Sequence, residues 1–281
     1  MKEAEIKEAS KETPAKIDKA QKPNKKTKRD SFSTKLSRKI RKTAEKLNKN
    51  KIALAIVMLV FVGGVSIGLQ YLFAFIALKI FDREFLVSPV GTTVFTAVVY
   101  AATLAVVVFL PPFIYKKWKT TREELGLREL PTWTDIGLAP IGYVVMLILT
   151  SIVTAIFSLF PWFNADQTQS TGYDYYIDGF DKIIAFIALV VIAPIIEEVI
   201  FRGWLYGKLR KKFIMPVAIL LVSILFGVVH LQWNVGVNVF ATSVVLCLMR
   251  EVTGTVYSGI LLHMLKNGIA FFLLYVLNVG F

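Results

Sequence analysis

Residues 182 to 204 read KIIAFIALVVIAPIIEEVIFRGW. After Lys182 comes an unbroken apolar run, and a helix of about twenty such residues is long enough to cross the hydrocarbon of a bilayer. Three charged residues follow in the same stretch: Glu197, Glu198 and Arg202. Each charge inside a span commonly costs about 2.5 to 3.5 kcal/mol, so such residues usually serve a function. The stretch therefore predicts a transmembrane helix that carries part of a functional site.

Six other apolar stretches approach the same length. The seven predicted spans cover about residues 52–80, 93–115, 136–160, 182–204, 215–231, 236–250 and 255–279. The fifth and sixth are marginal in length. Hydrophobic residues make up 55% of the chain and the mean hydropathy is +0.59, which excludes an ordinary soluble globule. The predicted fold class is all-α, a polytopic transmembrane bundle of about seven spans and up to eight helices.

The positive charge is concentrated before the first span. Residues 1–51 carry 18 Lys and Arg against 7 Asp and Glu, a net charge of +11 out of +13 for the chain. We predict that this charge binds anionic lipid rather than nucleic acid, because no nucleic-acid recognition module accompanies it. The first thirty residues are predicted to be disordered. Two interpretations of residues 1–50 stay open: a cytoplasmic tail with an amphipathic juxtamembrane helix over 31–49, or a flexible tail that only sets orientation.

Charge also predicts the orientation of residues 51–281, the transmembrane domain. The connections at 116–135 and 207–214 are basic, whereas the connection at 161–180 has three Asp and no Lys or Arg. By the positive-inside rule, the N-terminus and the basic connections face the cytoplasm and the C-terminus faces outside. No cleavable signal peptide is expected, because the first apolar stretch follows about fifty polar residues and is too long.

The charged residues of the fourth span differ in their predicted surroundings. Glu198 and Arg202 are four residues apart on one helix face, in the acid-before-base order that favours an ion pair. Glu197 points about 100° away from Glu198, so it lies outside that pair and is the candidate for proton transfer. Pro194 removes a backbone hydrogen bond just before it, which favours a cavity there.

The chain has two histidines, and each has a partner four residues away on a predicted span. Phe226 would shield and orient the ring of His230, and Asn267 shares a helix face with His263. A lone histidine in a membrane helix is more often a packing partner than a catalyst. Two histidines combined with the Glu-Glu-x-x-x-Arg pattern favour a catalytic site instead.

The depth of His230 requires an irregular fifth span. His230 lies about 18 residues after Lys212, or about 27 Å along a straight helix, which is too deep to meet Glu197. We therefore predict that the fifth and sixth spans form a hairpin that turns inside the protein around residues 230–236, where irregular backbone is tolerated if it lines a cavity. Asn234 and Asn238 would then face that cavity.

Three motifs occur in order on successive apolar segments: Glu197-Glu198-x-x-x-Arg202, Phe226-x-x-x-His230 and His263-x-x-x-Asn267. Together they resemble the motifs of the CPBP family, which comprises the Rce1-like CAAX prenyl proteases and the bacterial bacteriocin-processing or immunity (Abi) proteins. The resemblance covers roughly residues 120–279, including Glu-Glu-Leu-Gly-Leu-Arg at 123–128, and excludes the tail and the first span. It implies an intramembrane protease of the bacterial plasma membrane that acts on a peptide or membrane-protein substrate.

The resemblance also implies a role for each residue. These roles are water activation by Glu197 and His230, oxyanion stabilisation by His263 and Asn267, and support of the site by Glu198, Arg202 and Phe226. The residue types suit peptide hydrolysis, which needs a base for the water and donors aimed at the oxygen where negative charge develops.

Metal dependence stays open at this point. Glu197, His230 and His263 could supply a carboxylate and two imidazoles with one position left for water, as in a catalytic zinc site. However, the chain has no His-Glu-x-x-His pair on one helix. A glutamate peptidase without an obligatory metal is the preferred interpretation, and no cofactor other than zinc is expected.

Other candidate residues carry weaker signals. Cys247, the single cysteine, is predicted to pack in the core, and Ser223 and Ser258 to pack between helices. Lys266 could snorkel toward the membrane surface or meet a substrate carboxylate. Two functions compete with the peptidase: a non-catalytic immunity or scaffold protein on the same fold, and an ion-coupled transporter. The transporter is less favoured, because such proteins usually have internal repeats and none is visible in this sequence.

Overall fold

The computed structural model describes residues 25–127, 130–165, 171–173 and 177–279, with side chains from residue 34 onward, and all regular structure in these ranges is helical. The helices are α1 (Lys25–Lys49), α2 (Lys51–Ile80), α3 (Arg83–Val87), α4 (Pro89–Ile114), α5 (Arg122–Leu125), α6 (Trp133–Phe157), α7 (Gly179–Arg210), α8 (Met215–Val228), α9 (Trp233–Thr253) and α10 (Tyr257–Val276). The predicted all-α transmembrane fold class is confirmed.

Six of these helices are long and apolar enough to cross a membrane: α2, α4, α6, α7, α9 and α10. The fifth predicted span, α8, has 14 residues and would extend only about 21 Å. The sixth span was expected to be short as well, but α9 has 21 residues and reaches spanning length. The expectation was wrong because polar residues such as Asn234 and Thr253, at the ends of α9, are helical too.

The long helices differ in how much protein covers them. In the most apolar window of each, 44% of α7 and 61% of α9 is buried, against 11% of α4 and 17% of α6. α7 and α9 therefore form the centre of the bundle. The outer helices present large apolar side chains such as Phe113 and Val60, which are 87% and 68% exposed. Such an apolar surface suits the hydrocarbon of a bilayer.

α8 and α9 form a hairpin as predicted, but α9 begins at Trp233, so the turn is shorter than the expected residues 230–236. Two glycines allow their backbones to touch, because a Cβ on Gly227 would lie 2.7 Å from the carbonyl oxygen of Gly236. The turn comprises residues 229–232 and includes Leu231 with a φ of 57°. His230 therefore lies in the turn, just after the end of α8, rather than within a helix that was expected to continue to residue 231.

The basic connections meet at one end of the bundle. Lys208, at the end of α7, donates to the carbonyl of Lys119 at 3.4 Å, and both Lys208 and Lys211 pair with Glu124 of α5. Burial raises the pKa of Glu124, but the hydrogen bond from Lys211 and the two positive charges outweigh it, so the net pKa lies below its ordinary value. This arrangement agrees with the predicted topology, and the cytoplasmic assignment of that end stays a prediction.

The helix predicted within the basic tail is present and longer than expected. α1 begins at Lys25, so residues 25–30, predicted to be disordered, are helical. Extending an existing helix adds one hydrogen bond for each residue ordered, which costs much less than starting one. Residues 1–24 of the predicted disordered segment lie outside the described residues, as do Arg128, Asp166, Asp174, Tyr175 and Tyr176 of the predicted connections.

Candidate active site

α7 is irregularly wound around the acidic pair. Residues Ile187–Ile192 and Val199–Tyr206 are π-helical, and the short α-helical stretch Ala193–Glu198 lies between them. Ala193 donates to the carbonyl five residues earlier, and the next residue, Pro194, has no N–H to donate to Leu189. The wider winding places Glu197 and Glu198 at the junction of two π-helical stretches, which are frequent at functional sites.

Glu198 and Arg202 form the predicted ion pair. Arg202 Nη1 donates to Glu198 Oε1 at 2.8 Å, and both residues are fully buried. The guanidinium also lies over the ring of Phe226, 4.3 Å from its centroid, which is favourable for a cation. Gly259 of α10 allows this close packing, because a Cβ there would lie 3.0 Å from Glu198 Oε2. The pair is an internal support of the site rather than a group open to a substrate.

The ring of His263 lies between the two glutamates. Its Nδ1 is 3.0 Å from Glu198 Oε1, and its Nε2 is 3.8 Å from Glu197 Oε2. The Nδ1–Oε1 distance is that of a hydrogen bond. The Nε2–Oε2 distance is too long for a direct hydrogen bond but short enough for one small group, such as a water, to bridge the two atoms. Glu198 therefore orients the imidazole so that its other nitrogen faces Glu197.

Phe226 connects the two histidines. Its ring contacts His230 at 5.0 Å and His263 at 6.3 Å between centroids, both edge to face. His230 Nδ1 lies 2.7 Å from the backbone carbonyl of Phe226, which can only accept, so Nδ1 carries the proton. In the neutral ring, Nε2 is then an acceptor. His230 is also close enough to Glu197 and His263 to interact electrostatically with both.

Tyr100 is a site residue that sequence reasoning missed. It lies in the middle of α4, and its hydroxyl donates to Glu197 Oε1 at 2.5 Å. Glu197 lies outside the Glu198–Arg202 pair, as predicted, but Tyr100 holds its carboxylate instead. The sequence contained a signal, since Tyr100 lies in the middle of the second predicted span, whereas Tyr115 lies at its end. The sequence could not show that Glu197 is its partner, because the contact depends on how α4 packs on α7.

The predicted asparagines have different surroundings. Asn267 donates through Nδ2 to the carbonyl of Leu189 at 2.9 Å, the acceptor that Pro194 leaves without a backbone partner. One N–H of Asn267 is thus committed to the helix backbone. Asn234 and Asn238 line a cleft beside α10, and Asn238 accepts from Thr154 at 2.7 Å.

The residues predicted to pack do so. Cys247 is fully buried near Arg202, and Ser223 and Ser258 have no exposed surface. Ser258 bonds with Thr253 at 3.2 Å.

The predicted zinc ligands do not form a three-ligand cluster. Among the residues that the structure describes, no group of three His, Cys, Asp or Glu side chains is placed to hold a metal ion. Glu197 and His263 face each other, as given above, but His230 does not complete the set. The arrangement thus does not fit a three-ligand site, and metal dependence itself stays a question for experiment.

Comparison with known proteins gives a family match for part of the chain. Residues 179–269 match the family model of the type II CAAX prenyl endopeptidases, Rce1-like. The match contains all three motifs and confirms the predicted resemblance, although it is narrower than residues 120–279 and leaves out the stretch at 123–128. The chain has no significant match among curated proteins or among solved structures. With its apolar helices, the chain is an integral membrane protein, and its residues 179–269 are similar to a protease family.

Proposed function

We propose that the chain is an intramembrane endopeptidase that hydrolyses a peptide bond near the membrane with a water activated by Glu197 and His230. The observation that carries this proposal is that His263 faces Glu197 at 3.8 Å while the ring of Phe226 contacts both His263 and His230. Glu197 and His263 lie in helices long and apolar enough to cross a membrane, where ionisable groups are costly and usually functional.

The hydrogen bonds leave suitable atoms for the water. Because His230 Nδ1 is bound to a backbone carbonyl, its Nε2 can accept one hydrogen of the water while Glu197 accepts the other. The lone pairs of the oxygen then point toward the substrate. As this oxygen bonds to the scissile carbonyl carbon, its proton passes to Glu197. The resulting carboxylic acid donates that proton to the leaving amine nitrogen as the carbon–nitrogen bond breaks.

Two groups would stabilise the oxyanion. Asn267 has a second Nδ2 hydrogen beyond the one bound to Leu189. His263, when both ring nitrogens are protonated, offers Nε2–H while Nδ1–H stays bound to Glu198. Preorganised donors of this kind stabilise a transition state strongly, because they do not reorient when the charge develops. The Glu198–Arg202 pair fixes the position of His263.

The proposal extends to location and substrate. We propose a bacterial plasma membrane with the N-terminus in the cytoplasm, because the basic connections meet at one end of the bundle. The basic tail would bind anionic lipid. The substrate would be a peptide or a membrane protein, either of the CAAX type or of the bacteriocin-processing type.

The test compares Glu197→Gln and His230→Ala with the wild-type protein at equal expression. Peptide termini in cells carrying each form identify the cleavage products without assuming a substrate. We expect termini that are present with wild type to be absent with both variants. Glu84→Gln, an exposed carboxylate on α3, is the matched control and should retain them. If both site variants preserve the termini and the cellular phenotype, the protein acts by binding and the peptidase proposal is wrong.

A further inference from the structure

One buried carboxylate joins the beginnings of two helices. Asp135, in the first turn of α6, is 2% exposed. Its Oδ2 accepts from the backbone N–H and from the hydroxyl of Thr132, at 2.9 and 2.8 Å, and so caps α6 itself. Its Oδ1 accepts from the hydroxyl of Thr255 at 2.9 Å, and the carboxylate also accepts from the backbone N–H of Ser258. Because Thr255 and Ser258 lie at the beginning of α10, Asp135 caps a second helix as well.

The beginning of α10 is held by groups from elsewhere in the chain. The residue before α10 is Val256, whose apolar side chain cannot accept a hydrogen bond. Its backbone N–H donates to the carbonyl of Gly126 at 3.2 Å, and Ser258, the second residue of α10, donates to Asp135. A carboxylate at this position satisfies an N–H that has no partner within the helix, and negative charge is favourable at a helix N-terminus. The connection between α4 and α6, with the first turn of α6, therefore determines where α10 begins.

The same connection lies against α7. A Cβ at Gly203 would lie 2.8 Å from the carbonyl oxygen of Leu125. A Cβ at Gly207 would lie 3.1 Å from the carbonyl oxygen of Glu124. The side chain of Leu125 is buried in the apolar core that α7 helps to form. Since α7 carries both glutamates of the site and α10 carries His263, the connection contacts the two helices that the site joins.

A displacement at the beginning of α10 would reach His263. Ser258 and His263 are five residues apart in an unbroken α-helix, which is about 7.5 Å along its axis. Between them, Gly259 lies against Glu198, but a glycine has no side chain that could hold α10 in place. The 3.0 Å contact of His263 with Glu198 and its 3.8 Å separation from Glu197 both require one position of the ring along this axis. The cap therefore contributes to the geometry of the site.

We propose that Asp135 is a positioning residue, which by capping α10 holds the ring of His263 between Glu198 and Glu197. Its effect on turnover rests on the proposed peptidase function, whereas its effect on the ring can be measured directly. Asp135 acts through α10 and is not one of the reacting groups. A misplacement of about 1 Å can lower a reaction rate about 100-fold, because reacting groups must be aligned.

Three substitutions separate the two caps in the full-length protein. Asp135→Ala removes both caps. Thr255→Val removes only the hydroxyl that binds Asp135 from the side of α10, and Thr132→Val, the matched control, removes the hydroxyl that binds it from the side of α6. Each threonine substitution replaces a hydroxyl by a methyl group of similar size. Thermal unfolding of each variant in micelles verifies that it is folded, and Thr255→Val decides the question if Asp135→Ala does not fold.

The first measurement is independent of activity. The chain has two histidines, so NMR of protein with isotope-labelled histidine shows the rings of His230 and His263, provided that purification uses a tag without histidine. His230→Ala identifies which signals belong to which ring. We expect Asp135→Ala to shift the ring-nitrogen signals of His263 and to leave those of His230 unchanged. Thr255→Val should have the same effect to a smaller extent, and Thr132→Val should have none.

The second measurement is turnover of a substrate identified from the peptide termini. Asp135→Ala should lower kcat about 10- to 100-fold while KM changes less than about twofold, because a misplaced donor acts on the transition state rather than on substrate binding. Thr132→Val should retain the wild-type kcat even if it lowers the thermal unfolding temperature. A merely structural cap would lower stability without this selective loss of kcat.

Three results would overturn the inference. Unchanged His263 signals in folded Asp135→Ala, or in Thr255→Val if the former does not fold, would show that the cap does not position the ring. An equal shift in Thr132→Val would show a general loosening of the packing. Shifted His263 signals with an unchanged kcat would show that this position does not matter for the reaction, with the peptidase function intact. If the wild-type protein cleaves no peptide, the proposed function is wrong, and the ring signals alone decide whether Asp135 positions His263.

Discussion

Removing one charge of the Glu198–Arg202 pair should destabilise the protein far more than removing both. The two residues have no exposed surface and are joined at 2.8 Å. Arg202→Met leaves the Glu198 carboxylate buried without its cation, and Glu198→Gln leaves the guanidinium buried without an anion. Breaking a buried pair in this way costs about 3 to 5 kcal/mol, whereas replacing both charges is often close to neutral.

A double-mutant cycle measures this difference. The free energy of unfolding is determined for wild type, both single variants and the double variant, by reversible denaturation in mixed micelles. Trp204, 2% exposed and two residues from Arg202, is a reporter of the packing around the pair. We expect the double variant to lose at least about 2 kcal/mol less than the sum of the single losses, since groups in direct contact are rarely additive.

A more exposed ion pair provides the comparison. Arg210 and Glu251 are joined at 2.9 Å, but their side chains are 41% and 28% exposed. Water and salt screen such a pair, so the corresponding cycle should give a smaller coupling, even though Arg210 binds Glu251 through two nitrogens. If the buried and exposed cycles give the same result, burial does not determine the strength of the internal pair and our reasoning about it fails.

Three further predictions concern the site and its framework. Tyr100→Phe removes the hydrogen bond to Glu197 and should lower kcat about 10- to 100-fold with little change in KM. Both constants are measured on a substrate identified from the peptide termini. An unchanged kcat would show that the hydroxyl is dispensable. Gly227→Val should separate α8 from α9 and lower the thermal unfolding temperature, because even a Cβ would collide with Gly236, whereas Gly64→Val, with open space around it, should be tolerated. Exhaustive chelation should leave peptidase activity intact, and activity that disappears and returns only with zinc would contradict the metal-free mechanism.

The site could be predicted from sequence only in part, because some of its residues contact neighbours in the chain and others contact residues far away in the sequence. Glu198 and Arg202 are four apart on one helix, so their ion pair follows from helical geometry alone. The contact between Phe226 and His230 was predicted from the same spacing, but His230 lies in the turn after α8, so helical geometry alone does not account for it. The hydrogen bond from Tyr100 to Glu197 joins residues 97 positions apart, and no local rule relates them. The use of Asn267 to satisfy Leu189 likewise depends on which carbonyl the irregular winding of α7 leaves open.

The amino-acid sequence by itself determined that this is a bundle of transmembrane helices, where most of them lie, and which polar residues are too costly to be there by chance. These properties depend on apolar length and on the free energy of burying charge, both of which are local. Only the tertiary structure determined that His263 lies between the two glutamates and that Tyr100 holds Glu197. Those contacts depend on how close helices approach, which glycines such as Gly227 and Gly259 permit but do not specify.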